Sequence, residues 1–224
     1  MSLHKDCADA LRTRFHALTG GKLGSGHAHE IVAAFFSYGT GSALRMEDEH
    51  PLDALPQADI LVPDLNLMDA RLANLDGLPA DLPSVDELAG WIGEYLVEAS
   101  YFSGSIWHSR DVEDHIAATF VHEDPQRIMD ALSSEMAVTN AVFLGFDIEN
   151  CDLVADDEGM VATLAGRVEG ETDEEKPFYG DAIDFETTLT FDLVAGRNGY
   201  RAPAYETTGN LDLSFFDGDS GEAA

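Results

Sequence analysis

Apolar and polar positions alternate most clearly in the last third of the chain. Phe185, Thr187, Leu189, Phe191 and Leu193 fall on one side of a period of two, with Glu186, Thr188, Thr190 and Asp192 on the other. Tyr205, Thr207, Leu211, Leu213 and Phe215 repeat the pattern, opposed by Glu206, Thr208, Asn210 and Asp212. Successive side chains on a strand point to opposite faces, so both segments read as strands with one buried and one wet side. Asn198-Gly199 between them marks a reversal, and Pro203 limits pairing near the start of the second. Upstream, Val142, Leu144, Phe146 and Ile148 alternate in the same way, as do Met160, Ala162, Leu164 and Val168 after a turn at 156–159. These runs predict about four strands in an antiparallel meander. The acidic segment from Glu169 to Lys176, followed by Pro177, reads as an exposed loop.

The first half has a helical period instead. Leu11, Phe15 and Leu18 predict a helix over 3–18, closed by Gly20-Gly21. A second runs from about His27 to Tyr38, and 42–49 holds a short third helix at best. Ala58 to Val62 fits a short strand or an extended connector. Leu65, Met68, Leu72 and Leu75 predict another helix. Ser84 followed by Glu87 is a capping box, and Leu88, Trp91, Ile92, Tyr95, Leu96 and Ala99 form the apolar stripe behind it. Val112, Ile116 and Phe120 continue the helical pattern, and Pro125 opens a further helix with Ile128, Met129 and Leu132 inward.

The fold class that follows is α+β: a helical N-terminal region at 1–104, then an α+β domain at 105–217 whose sheet is packed against helices, then a disordered acidic tail at 218–224. The helices between Val112 and Leu132 are expected to cover the sheet.

Charge is the extreme feature. The 224 residues carry 43 acids against 12 bases, a formal net charge of −31. Residues 1–110 hold 16 acids and seven bases; residues 111–224 hold 27 and five. Such a field repels nucleic-acid phosphates and anionic membranes. It suits a highly soluble protein, adaptation to salt, or a basic partner. The scarcity of lysine (Lys5, Lys22 and Lys176) also suits salt adaptation. No apolar run is long enough to span a bilayer, and the N-terminus lacks the apolar core of a signal peptide, so a cytoplasmic location is expected. Cys7 and Cys151 allow a disulfide, but read more simply as two reduced thiols.

Ala28 to Phe36, Tyr38-Gly39, Ala43-Leu44, Phe178-Tyr179-Gly180-Asp181 and Ala195-Gly196-Arg197 resemble features of uncharacterised bacterial proteins often found on plasmids and integrative elements. The N-terminal helical segment is also similar to one preceding the main domain of some glyoxalase-related proteins. The resemblance brings no activity, cofactor or catalytic residue with it.

Candidate chemistry is sparse. His27, His29 and Glu30 cluster at a helix start, and nitrogen and carboxylate ligands suit zinc or another transition metal. The plainer reading is a polar helix entry. His108, His115 and His122 recur every seven residues, wider than the close ligand spacing of one helical turn. Ser103-Gly104-Ser105, Gly24-Ser25-Gly26 and Gly39-Thr40-Gly41 lack the context of a nucleophile elbow or a phosphate loop and read as turns. The tail at 217–222 lacks the terminal glutamate of a calcium loop. Residues 28–44 have the small-residue placement of a helix-turn-helix, but only Lys22 and Arg45 flank them, too few for phosphate contacts.

Two function classes remain. One is a non-enzymatic acidic protein that engages a basic protein surface; a sharper version would imitate DNA. The other is a hydrolase or metal-dependent enzyme with a site where helices meet the sheet, resting on His27, His29 and Glu30 and on the later histidines.

Overall fold

A computed structural model describes residues 2–172 and 180–212. The acidic tail, Lys176-Pro177, Phe178-Tyr179, Leu213 and Phe215 lie outside the described residues. The protein is mixed α+β with a mostly antiparallel sheet. The chain divides into two compact units. The first comprises 1–112, 156–159 and 191–202; the second comprises 113–155, 160–190 and 203–224.

In the first unit α1 (Leu3–Thr19), α2 (Ser25–Phe35), α3 (Gly41–Arg45), α4 (Leu65–Ala73) and α5 (Val85–Glu98) build a helical core. Leu3, Cys7, Leu11 and Phe15 are buried at helical spacing on α1. Gly20, at φ +71°, ends that helix, and its amide donates to the His16 carbonyl at 2.9 Å. The left-handed turn there is one that glycine adopts without strain. From Ile31 to Phe36 every side chain is buried, so the end of α2 is apolar all round. α1 packs on α2 and α5, and α2 packs on α4. Both halves of the predicted capping box form: the Ser84 hydroxyl accepts from the Glu87 amide at 3.3 Å, and the Glu87 carboxylate accepts from the Ser84 amide at 3.2 Å.

Three two-residue strands complete this unit: β1 (Ile60–Leu61), β2 (Ser105–Ile106) and β7 (Gly199–Tyr200). β1 pairs β2 in parallel and β7 antiparallel. The parallel pair is joined through α4 and α5, the long crossover that parallel strands require. At the entry to β2, a side chain on Gly104 would strike the Asp59 carbonyl, which the Ser105 amide reaches at 2.8 Å.

The second unit carries β3 (Ala141–Phe143), β4 (Asp147–Ala155), β5 (Gly159–Thr172), β6 (Ala182–Ala195) and β8 (Ala204–Leu211), the ends of β5 and β6 reaching into the first. The strand order is β2-β1-β7-β6-β5-β3, with β4 also on β5 and β8 also on β6. Among the described residues the expected sheet of about four strands is therefore corrected to eight. Strands of two residues are too short to show a period. The run from Val142 to Ile148 is two strands, both paired to β5. Its phase was also misread. Val142 and Leu144 are exposed, while Phe146 is buried. Glu169 to Thr172, expected in a loop, extend β5, with Thr172 opposite Ala141.

The inner face of this sheet is the predicted one. Phe185, Thr187 and Leu189 of β6 and Ala162, Leu164 and Val168 of β5 are buried. The Thr187 hydroxyl shares a hydrogen bond of 2.9 Å with that of Thr207. Helical segments cover this face: α6 (Val112–His115), a π turn (Ile116–Phe120), α7 (Val121–Glu123), α8 (Gln126–Ala131) and α9 (Ser133–Ala137). They bury Ile116, Val121, Ile128 and Leu132, and the Leu132 side chain lies directly over Gly209 of β8.

Candidate binding surface

The outer face of the second unit's sheet carries an ordered array of carboxylates. It follows from the period of two: once the apolar positions face the helices, the alternate positions face water. β4 contributes Asp147 and Asp152, β5 Glu169 and Glu171, β6 Asp184 and Glu186, and β8 Glu206, all of them exposed. The register sets Asp147 opposite Arg167, Asp152 opposite Thr163, and Thr188 opposite Glu206. Same-face residues on one strand are about 6.6 Å apart, and neighbouring strands about 4.8 Å. The carboxylates thus form a broad patch interleaved with threonines.

Arg167 is the one cation this face carries among the described residues, and it is already neutralised. Its guanidinium donates to Asp184 at 2.7 Å and to Asp212 at 2.5 Å, with Glu169 at 3.9 Å. The bond to Asp212, more than any other contact, holds the guanidinium in its charged form, and Asp184 adds to it. The same consumption of cations recurs across the molecule. Arg12 pairs with Asp9, Arg14 with Glu94, Arg71 with Glu30, Arg127 with Asp124, and Arg110 with both Asp69 and Asp86. The remaining charge is overwhelmingly carboxylate.

Comparison with protein-family models, with curated proteins and with solved structures found no match.

His27, His29 and Glu30 all lie in the N-terminal half of α2. Their side chains have separate surroundings. The His27 ring packs beside Gly24, and the His29 ring sits 5.8 Å from that of His4 on α1. Glu30 is bonded elsewhere: Arg71 Nε donates to it at 3.1 Å and the Gly41 amide at 3.3 Å. Among the described residues, no group of three or more His, Cys, Asp or Glu side chains is placed to hold a metal ion. Burial, then the neighbouring His29 and Arg45, depress the affinity of His4 for its proton.

The three later histidines occupy unlike places. His108 follows β2, and burial lowers its pKa. His115 ends α6 and is shifted down by the same cause. His122, beyond the π turn, is exposed and stacks on Phe146 at 5.1 Å. The glycine-bearing triplets are structural. Gly24 is the N-cap of α2, Gly104 enters β2, and Thr40 caps α3 by accepting from the Ala43 amide at 3.1 Å. Arg45, beside the helix-turn-helix-like segment, donates to the Ser42 hydroxyl. Cys7 and Cys151 are both buried and free of any disulfide. Burial, aided by Asp6, pushes the Cys7 thiol up to about 12, which leaves it protonated and unreactive at neutral pH.

Sequence reasoning missed the Arg167 clamp. Its signal was present as a lone arginine in a strongly acidic stretch. Its partners, 17 and 45 residues away, are set by strand register.

Proposed function

We propose that this is a non-enzymatic interaction protein whose acidic sheet face receives a basic surface of another protein. One observation carries the reading: carboxylates from four adjacent strands share a solvent face whose single cation among the described residues is bound by Asp184 and Asp212. Like charges on one face repel, and a cationic partner relieves that repulsion while releasing counterions. The alternative of a metal-dependent hydrolase would have to do without Glu30, whose carboxylate is committed to Arg71 and Gly41. The acids are set out as a two-dimensional patch and not as a single row, so a basic protein surface suits them better than imitation of a phosphate backbone does.

The test is retention of proteins from a native lysate at low and moderate salt. The wild type is compared with a triple variant, Asp152→Asn, Glu186→Gln and Glu206→Gln. A basic protein held by the wild type at low salt, released as salt rises, and lost in the variant is expected. Retention unaffected by the three substitutions would refute the sheet face as the site.

A further inference from the structure

A second surface, chemically unlike the sheet face, lies on the first unit. Helix α5 is bordered by β2 and the residue pair after it, leaving an open groove of about 430 Å³ lined by Gly90, Gly93, Val97, Ile106 and His108, with Glu94 and Glu98 on its rim. At Gly93 a Cβ would come within 3.0 Å of the Ile106 terminal methyl, so that side chain would have to give way. By contrast, a Cβ at Gly90 meets nothing within 4 Å, and its φ is not in the left-handed region. A glycine in the middle of a 14-residue helix weakens that helix relative to alanine, and here no internal contact compensates. Its effect is to leave that part of the groove lining without a side chain.

The walls are apolar and the rim is acidic. Val97 is 49% exposed although it is a β-branched aliphatic residue on a well-formed helix. Glu94 is bonded to Arg14 of α1. The Glu98 carboxylate is exposed and has no hydrogen-bond or ion-pair partner among the described residues. His108 is held towards its neutral form by burial, so it offers little opposing charge.

We propose that this groove is a docking site for a short amphipathic helix of a basic partner, one with an apolar stripe flanked by lysine or arginine. The groove follows α5 from Gly90 to Glu98, about 12 Å or two turns. Helices approach most closely where the facing side chains are small, and Gly90 gives that approach. The apolar stripe would cover Val97 and Ile106, and a cation would meet Glu98. A second copy of this chain is the wrong occupant on charge, since both copies carry −31. The inference is independent of the sheet face and can fail or hold without it.

The probe is a synthetic 18-residue leucine–lysine peptide (about five helical turns), labelled for fluorescence anisotropy, with a scrambled peptide of equal composition as control. Gly90→Leu is expected to weaken binding at least about tenfold, and Glu98→Lys by a similar factor at low salt. Gly90→Ala should melt no lower than the wild type, which separates lost docking from lost folding. The double variant Glu186→Gln and Glu206→Gln should bind the peptide within about twofold of wild type, because neither residue lines the groove. Unchanged affinity in Gly90→Leu, equal binding of the scrambled peptide, or no binding by the wild type would overturn the groove. Loss only in the sheet-face variant would overturn it too, while supporting the sheet face.

Discussion

At the scale of single residues, Asn198 has a larger part than its place in a reversal suggests. Its side-chain amide donates to the Phe35 carbonyl at the end of α2 and to the Val62 carbonyl after β1, both at 2.7 Å. It is 2% exposed. Removing the amide orphans the buried Val62 carbonyl, at a cost of about 1–3 kcal/mol, while the Phe35 carbonyl keeps the Asp64 amide at 3.3 Å. Asn198→Ala is therefore expected to lower unfolding free energy by about 1–3 kcal/mol in urea titration. A change below about 0.5 kcal/mol, the range of ordinary surface substitutions, would show that the clamp contributes little. Asn198-Gly199 was legible as a reversal, although the left-handed residue of the turn is Gly196 at φ +59°, and Gly199 begins β7. The clamp was not legible, because its acceptors lie 163 and 136 residues away.

At the scale of elements, α5 is the best-specified segment of the chain. Its cap, apolar stripe and two neighbouring turns all agree, and the helix forms as read, from Val85 to Glu98. Ser84→Ala removes the acceptor for the Glu87 amide and loosens the reciprocal bond, at a cost of about 1 kcal/mol. Thermal unfolding followed by far-UV circular dichroism would measure this, and an unchanged midpoint would mean that the box is redundant. β3 illustrates the opposite case. Its alternation was visible, but not which side faced inward, since a three-residue strand has no run long enough to fix the phase. Gly145 separates it from β4, where a register shift between Ile148 and Asn150 moves the pattern again.

For the whole molecule, charge sets the dominant response to solution conditions. Exposed ion pairs such as Arg127 with Asp124 and Arg12 with Asp9 are worth about 0–1 kcal/mol each and weaken with salt. The repulsion among 31 excess negative charges also weakens with salt, and it acts over the entire surface. The second effect should win. Raising sodium chloride from low ionic strength to about 0.5 M is expected to raise the melting temperature by roughly 2–4 °C, a gain near 1 kcal/mol. A fall in melting temperature would mean that the ion pairs outweigh the repulsion.

The amino-acid pattern by itself determined the longer helices, the inward faces of β5, β6 and β8, and the acidity of the outer face. Each is a local property, written within ten or so residues by a period of two or 3.6. It also determined that cations would be scarce. Tertiary structure alone decided which carboxylates would absorb them, as Asp184 and Asp212 do for Arg167, and which short segments would become β1, β2 and β7. Two-residue strands exist because neighbouring strands offer them hydrogen bonds. The same holds for the groove beside α5, made by a glycine that the helix does not need and an isoleucine brought to it from another element. Such features are relations between distant parts of the chain, and no local period encodes them.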